Sequence, residues 1–249
     1  MTEQYEIPSV NQVVIAAGGR GKRMGSEMGS VPCKSLLEYR GQTMLGWLLD
    51  SLQANGFDDY LIATNAHCVD GVSAVLQHKG IAKPPATIDI DEGFRRVPRH
   101  FEGQLADRFL FLSGHHPVSA EHIGKMLVKA TVHPIVMTAY DNGKYTLDSL
   151  HSFIVEDEAG EPVKIREKFL VEEDLADTFT YVRHPYIVSP EAVQRATDDN
   201  YNHIFGTYVF RGQESKGGIG IVTADFAPEF DYPEQFEVTK QDIDRRLSK

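Results

Sequence analysis

The chain has 249 residues, of which 41% are hydrophobic and 24% charged. This is enough to bury one substantial core, so we expect a single domain with at most a small second lobe. The formal net charge of -11 argues against nucleic acid as a partner, because such binding depends on Lys and Arg neutralising phosphates. Any nucleotide that the protein binds must therefore meet a local positive site.

The cysteines and the apolar segments exclude further classes. Cys33 and Cys68 are the only cysteines and lack CxxC spacing, which argues against a disulfide scaffold and against structural zinc. The first eleven residues are polar and do not form the pattern of a signal peptide. Since no apolar stretch is long enough to span a bilayer, we expect a cytoplasmic protein without a membrane partner.

The first elements along the chain predict a βαβ unit. Residues 13–17 are a short apolar run that ends at two glycines, typical of a buried central strand. Residues 44–55 have apolar positions at helical spacing and stop at Gly56, and residues 60–64 form a second apolar run. Strand, loop, helix and strand in this order predict a parallel sheet and a doubly wound, Rossmann-like α/β fold.

Later segments extend this sheet. Residues 109–112 predict another buried strand, whose carboxyl end should open near the first loop. Ser119 is a suitable N-cap for a helix that runs to Ala130. Residues 186–188 predict a strand, and Pro190 stands in the first turn of the helix that follows.

The middle of the chain has a different pattern. Residues 134–169 alternate in polarity, with turn signals at 141–143 and 158–161, which favours antiparallel hairpins over another crossover. We expect a substrate lobe at about 134–185 within one domain that spans residues 1–249.

A glycine-rich loop follows the first strand. Residues 16–24 (AAGGRGKRM) contain three glycines and three cations. Glycines let backbone N–H groups approach an anion closely, and Arg offers a planar fork to phosphate oxygens. A Walker A loop would need Gly at position 16 and Ser or Thr at 23, where this chain has Ala16 and Arg23. A dinucleotide fingerprint from Gly19 would need Gly at 24, which is Met24. A solvated basic turn remains the alternative.

This loop and a lysine beyond it suggest a family. Residues 18–24, followed eleven residues after Arg23 by Lys34-Ser35-Leu36-Leu37, resemble the GGxGxRL/M … K-x-L signature of the sugar nucleotidyltransferases, which are Rossmann-like (GT-A) NTP transferases. The resemblance implies that Lys34 contacts the phosphates and stabilises charge at the α-phosphorus. A solvent-facing lysine is the physical alternative. Cys33 stands where the family usually has Pro. The residues that the resemblance assigns to the nucleotide are Ala17, Gly18, Gly19, Gly21 and Arg23, with Arg23 and Lys34 as the catalytic pair.

A second segment resembles the part of this family that binds the acceptor. Residues 165–169 (IREKF) are similar to the family's I-x-E-K-P segment. The resemblance implies that Glu167 binds sugar hydroxyls and that Lys168 binds the phosphate of the acceptor, although Phe169 replaces the usual Pro. A charged pair on the edge of a hairpin is the alternative interpretation.

The expected metal site departs from the family. Nucleotidyl transfer normally uses Mg2+ held by carboxylates, and the resemblance places the first one where this chain has His115. Imidazole is a poor ligand for Mg2+ but binds Mn2+ and other divalent metals. For the second carboxylate ligand, either Glu229 or Asp231 is a candidate. A solvated acidic stretch is the alternative interpretation of these residues.

These residues predict an enzyme that transfers a nucleoside monophosphate from an NTP to a sugar 1-phosphate, releasing pyrophosphate and forming an NDP-sugar. A homo-oligomer is compatible with the sequence. The sequence does not identify the base of the NTP. Three alternatives stay open. They are a degenerate nucleotide-binding regulator, suggested by His115, a cytidylyltransferase for a phosphorylated alcohol or phosphonate, and a metal-dependent hydrolase built around His115 and His116.

Overall fold

A mixed β-sheet with helices on both faces forms the centre of the protein. A computed structural model describes residues 9–89, 97–141, 152–156, 162–167, 180–198, 219–224, 226 and 230–248. The predicted turns at 142–143 and 158–161 lie outside these residues. No helix in these ranges is both long enough and apolar enough to cross a membrane.

The described residues form eleven strands and six α-helices. The strands are β1 Gln12–Ala16, β2 Glu38–Tyr39, β3 Gln42–Thr43, β4 Asp59–Thr64, β5 Ala86–Thr87, β6 Phe109–Ser113, β7 Ile135–Asp141, β8 Ser152–Glu156, β9 Pro162–Glu167, β10 Thr180–Val188 and β11 Ile219–Thr223. The helices are α1 Met44–Gln53, α2 Val69–His78, α3 Val97–His100, α4 Ala120–Ala130, α5 Pro190–Asp198 and α6 Pro233–Leu247. Short 3-10 helices span Lys22–Met28, Lys34–Leu36 and Ala66–Cys68.

The main sheet has the strand order β11-β7-β10-β6-β1-β4-β5. The strands β5, β4, β1 and β6 run parallel, β10 is antiparallel to both of its neighbours β6 and β7, and β11 is parallel to β7. The predicted doubly wound, mostly parallel sheet is therefore confirmed. The strands β8 and β9 form an antiparallel hairpin that joins the sheet through β10.

One detail of the sequence interpretation is wrong. Antiparallel pairing from residue 134 onward is present, since β7 pairs with β10 and β8 with β9, but β7 is a strand of the main sheet and also has a parallel partner in β11. The error has a physical cause, since the parallel partner of β7 lies about 80 residues later in the chain and leaves no local signal. The extent of the substrate lobe stays a prediction.

The central strand β1 shows why the fold has two layers of helices. Val13 and Ile15 pack into one core cluster, which also contains Leu49 of α1. Val14 and Ala16 point to the opposite face, where their cluster contains Val97 of α3. Successive side chains of a strand alternate between faces, so a strand that is apolar at every position needs a core on each side.

A third cluster holds the C-terminal helix against the glycine-rich loop. Met24 and Met28 of the loop pack with Phe230, with Phe236 and Ile243 of α6, and with neighbouring apolar side chains. This packing brings the segment that precedes α6 to the carboxyl edge of the sheet.

We expect Leu49→Ala to lower the free energy of unfolding by about 2 to 5 kcal/mol, because Leu49 is fully buried and its truncation leaves a cavity. Urea denaturation followed by circular dichroism measures the change. Val128→Ala on α4 is the control, since Val128 is 70% exposed and should change stability by about 0.5 kcal/mol or less. Equal losses for the two variants would contradict the assigned core.

Candidate active site

Three loops meet where neighbouring parallel strands end. Ala16 of β1 pairs with Ala63 of β4 and with Ser113 of β6. The N–H of Ala17 donates to Ala63 O at 2.8 Å, and the N–H of Gly114 donates to Ala16 O at 2.8 Å. The prediction that the carboxyl end of the strand at 109–112, now β6, lies near the first loop is confirmed. In open α/β sheets, ligands bind at this carboxyl edge.

Lys34 fits along the glycine-rich loop because two positions carry no side chain. Gly21 has φ +65°, and a Cβ there would lie 2.5 Å from Met28 Sδ and 2.9 Å from Lys34 Cγ. A Cβ on Gly19 would lie 3.4 Å from Lys34 Cε. The main chains are also joined, since Lys34 N–H donates to Gly19 O at 2.9 Å. The two halves of the sequence signature thus form one structural unit.

The ammonium group of Lys34 is buried and paired. Its Nζ donates to Phe230 O at 2.8 Å and to Asp231 Oδ1 at 2.8 Å. The side chain is only 6% exposed, so the alternative of a solvent-facing lysine is wrong. The other oxygen of Asp231, Oδ2, lies 2.9 Å from Arg23 Nη2. One carboxylate therefore bridges the two cations that the sequence assigns to phosphates.

His115 lies beside the glycine-rich loop, next to Gly19 and Phe230. Its ring is buried and packs edge-on against Phe230, with ring centroids 5.4 Å apart. Its Nδ1 lies 2.6 Å from Ser113 Oγ, and a Cβ on Gly19 would lie 4.0 Å from His115 Cε1. The residue that replaces the expected aspartate thus occupies the position next to the loop that the sequence predicts.

The fit of this site to a divalent cation depends on Asp231. No cluster of three or more His, Cys, Asp or Glu side chains that could hold a metal is found in the described part of the chain. Asp231 has the carboxylate chemistry that Mg2+ prefers, but both of its oxygens are held by Lys34 and Arg23. Each oxygen keeps a further lone pair, but the two neighbouring positive charges disfavour a cation, so Asp231 would bind one best after Lys34 and Arg23 have moved away from it.

Three of the predicted site residues are not tested by this arrangement. Glu167 is the last residue of β9, where its backbone is in register with Ser152. Lys168 and Glu229 lie outside the described residues. The acceptor site and the second carboxylate therefore stay predictions.

Two groups of the site were missed from the sequence. Asn65 is buried, and its side-chain Nδ2 donates to Gly18 O, which holds the glycine-rich loop at its start. Its position directly after a predicted strand, at the same sheet edge, was a signal that could have been used. The carbonyl of Phe230 could not have been predicted, because every residue has a backbone carbonyl and the sequence does not show which one meets Lys34.

Cys33, in the place of the family's proline, is a packing residue. It is fully buried, and its Sγ lies 3.5 Å from Ala17 O. Burial, and next the neighbouring Cys68, raise the pKa of the Cys33 thiol. A thiol that stays protonated is a weak nucleophile. We therefore assign Cys33 to the packing of the loop and not to the reaction.

A Rossmann-like sheet with a glycine-rich loop, a buried lysine and a neighbouring arginine at its carboxyl edge is typical of nucleotide-binding enzymes. The family model of the MobA-like NTP transferase domain matches residues 13–197, and the chain belongs to this family. It is thus a nucleotidyltransferase, as the sequence predicts. A comparison with curated proteins finds no match.

Solved structures share the fold. The inositol-1-phosphate CTP transferase from T. maritima is similar with a TM-score of 0.69 and 16% identity, covering 94% of this chain and 96% of that one. The CMP:2-keto-3-deoxy-manno-octonic acid synthetase complexed with CTP is similar with a TM-score of 0.66 and 14% identity, covering 95% of this chain and 99% of that one. At these identities the likeness shows the fold alone.

We expect Gly21→Ala to abolish binding of triphosphate, because the new methyl group would displace Lys34 and Met28 and force a strained backbone. Titration calorimetry with an NTP measures the loss. Gly25→Ala is the control, because Gly25 also has a positive φ but has no atom within 4 Å of an added Cβ. It should lose stability and keep binding. If both variants bind as the wild type does, the close approach of Lys34 to the loop is not required.

Proposed function

We propose that this enzyme transfers a nucleoside monophosphate from an NTP to a sugar 1-phosphate, releasing pyrophosphate and forming an NDP-sugar. The observation that carries the proposal is the convergence of Arg23 and Lys34, at 2.9 and 2.8 Å, on a single anionic group beside the glycine-rich loop. Two cations in this geometry provide the donors that phosphate oxygens require.

The proposed reaction is an in-line displacement at the α-phosphorus. An oxygen of the acceptor phosphate forms the new P–O bond, the bond to the bridging oxygen of the β-phosphate breaks, and pyrophosphate leaves with the electron pair. An acceptor phosphate is already ionised near neutral pH, so no side-chain base is needed. The contribution of the protein is positional and electrostatic.

Each side chain has one role in this proposal. The loop at 18–21 and Arg23 hold the leaving pyrophosphate, and Lys34 neutralises charge that develops on the α-phosphate. Glu167 and Lys168 hold the acceptor. The glycine-rich loop and the two cations lie at the same edge of the sheet, which is consistent with a triphosphate lying across it.

A divalent cation belongs to the proposal. Mg2+ is our first choice and Mn2+ the second, with Asp231, Glu229 and His115 as the residues that would hold it. A bound cation would neutralise phosphate charge. We also propose that the enzyme works in the cytoplasm.

A second candidate acceptor is a phosphorylated polyol with CTP as the donor. This version is favoured by the two similar structures, one named as a CTP transferase for inositol 1-phosphate and one complexed with CTP. Both versions use the same loop, so they differ in the acceptor and the base alone.

We expect the purified protein to release pyrophosphate when it is incubated with Mg2+ or Mn2+, one of the four common NTPs, and a member of a panel of sugar 1-phosphates and polyol phosphates. A coupled phosphate assay measures the release, and reactions without acceptor give the background. If nucleotide binds and no combination releases pyrophosphate, the protein is a nucleotide-binding regulator and the proposed reaction is wrong.

We expect Lys34→Gln to lower kcat by about a hundredfold or more, because it removes the charge nearest the α-phosphate. The glutamine keeps an amide donor for Phe230 O, which limits the disturbance of the fold. Steady-state kinetics and a thermal melt measure the two effects. Lys79→Gln is the matched control, since Lys79 is 13% exposed and also paired with an aspartate, Asp50, but directly follows α2 and is not one of the residues assigned to the site. An unchanged kcat in Lys34→Gln would exclude the assigned role.

A further inference from the structure

The carboxylate of Asp231 is bound to the two cations that the proposed reaction assigns to phosphates. Its Oδ1 accepts from Lys34 Nζ at 2.8 Å, and its Oδ2 lies 2.9 Å from Arg23 Nη2. The side chain of Asp231 is 13% exposed, so this bridge is mostly shielded from water. The attraction between Asp231 and Lys34 is therefore less screened by water than that of an ion pair on the surface.

A bridging carboxylate presents the same features as a phosphate. Both groups offer two oxygens with negative charge, and both accept from a guanidinium and an ammonium group at similar distances. A triphosphate that enters the loop would need the same donors on Lys34 and Arg23. Lys34 has three N–H donors and Arg23 five, so the number of donors does not exclude either group, but a carboxylate that stays beside the entering phosphates would repel them.

We propose that Asp231 occupies the phosphate position of the nucleotide-free site, and that binding of a triphosphate displaces its carboxylate from Arg23 and Lys34. This inference rests on the proposed function and adds to it how the empty site is stabilised. Without Asp231, a buried ammonium and a neighbouring guanidinium would repel each other.

The different exposures of Arg23 and Lys34 set the order in which the two cations meet a phosphate. Arg23 is 51% exposed and Lys34 is 6% exposed, so an entering phosphate meets Arg23 first. Lys34 keeps its bond to Phe230 O at 2.8 Å, which leaves the ammonium in place while one of its donors passes from carboxylate to phosphate.

The main chain of Asp231 stays fixed during the exchange. Its N–H donates to Gln235 Oε1 at 2.7 Å in the first turn of α6, and Phe230 next to it is fully buried. The carboxylate would therefore move by rotation of the Asp231 side chain. The displaced carboxylate becomes available to a divalent cation, so we infer that the nucleotide and the cation bind cooperatively.

The test compares binding of pyrophosphate in EDTA to the wild type, to Asp231→Asn and to Asp242→Asn, by titration calorimetry. Asp242 is the matched control, because its side chain is 12% exposed and is paired with an arginine, Arg245, at 2.7 Å, but this partner belongs to the same helix, α6, and not to the glycine-rich loop. Both variants raise the net charge by one unit.

We expect Asp231→Asn to bind pyrophosphate about tenfold to a hundredfold more tightly than the wild type, since no carboxylate has to be displaced. Asp242→Asn should bind as the wild type does. Equal or weaker binding by Asp231→Asn would overturn the exchange while leaving the proposed reaction intact. If no protein binds pyrophosphate or NTP, with or without metal, both proposals fail.

A measurement on the wild type covers the case that Asp231→Asn does not fold. Electron paramagnetic resonance of Mn2+ follows its binding to the protein alone and to the protein saturated with CTP, compared with CTP alone. Exchange predicts that Mn2+ does not bind the loop site until nucleotide is present, and that the ternary complex binds Mn2+ more tightly than CTP does. Binding of Mn2+ to the protein alone that is as tight as its binding in the presence of CTP would overturn it.

Discussion

A buried ammonium group at the base of a glycine-rich loop is the constraint on which the rest of the site depends. Lys34 lies almost out of contact with water, and a charge in that position is costly unless it is paired and hydrogen-bonded. The chain meets this requirement with groups nearly 200 residues away, the carbonyl of Phe230 and the carboxylate of Asp231. The pairing joins the C-terminal helix to the nucleotide loop.

The sequence predicts the parts of this arrangement that depend on neighbouring residues. The run at 13–17 is apolar at each position because β1 is covered on both faces, and Ser119 caps α4 by accepting from the N–H of His122 at 3.1 Å. Both features follow from local patterns. The glycines and Lys34 could likewise be assigned to one site, because their spacing resembles a known signature.

Distant contacts could not be predicted in the same way. The helix α6 has a low apolar content and was not identified, and its place beside the loop depends on a cluster that combines Met24 and Met28 with Phe236 and Ile243. Asp231 was singled out as a candidate metal ligand, which stays a prediction, and its partners were not predicted, because nothing in the sequence shows which cation its carboxylate meets. The placement of β7 failed for a similar reason, since its parallel partner β11 lies far along the chain.

His115 alters the charge balance of the site in a way that makes Asp231 more important. The family's aspartate would add a second negative charge beside Lys34 and Arg23, whereas His115 is held by Ser113 and by the ring of Phe230 and adds none when neutral. Among the described site residues, Asp231 is then the carboxylate that balances the two cations. On a protein with a net charge of -11, a local excess of positive charge is what draws a triphosphate to one place. A single carboxylate is enough to stabilise the empty site, and because it balances only part of the charge, a more highly charged phosphate can displace it.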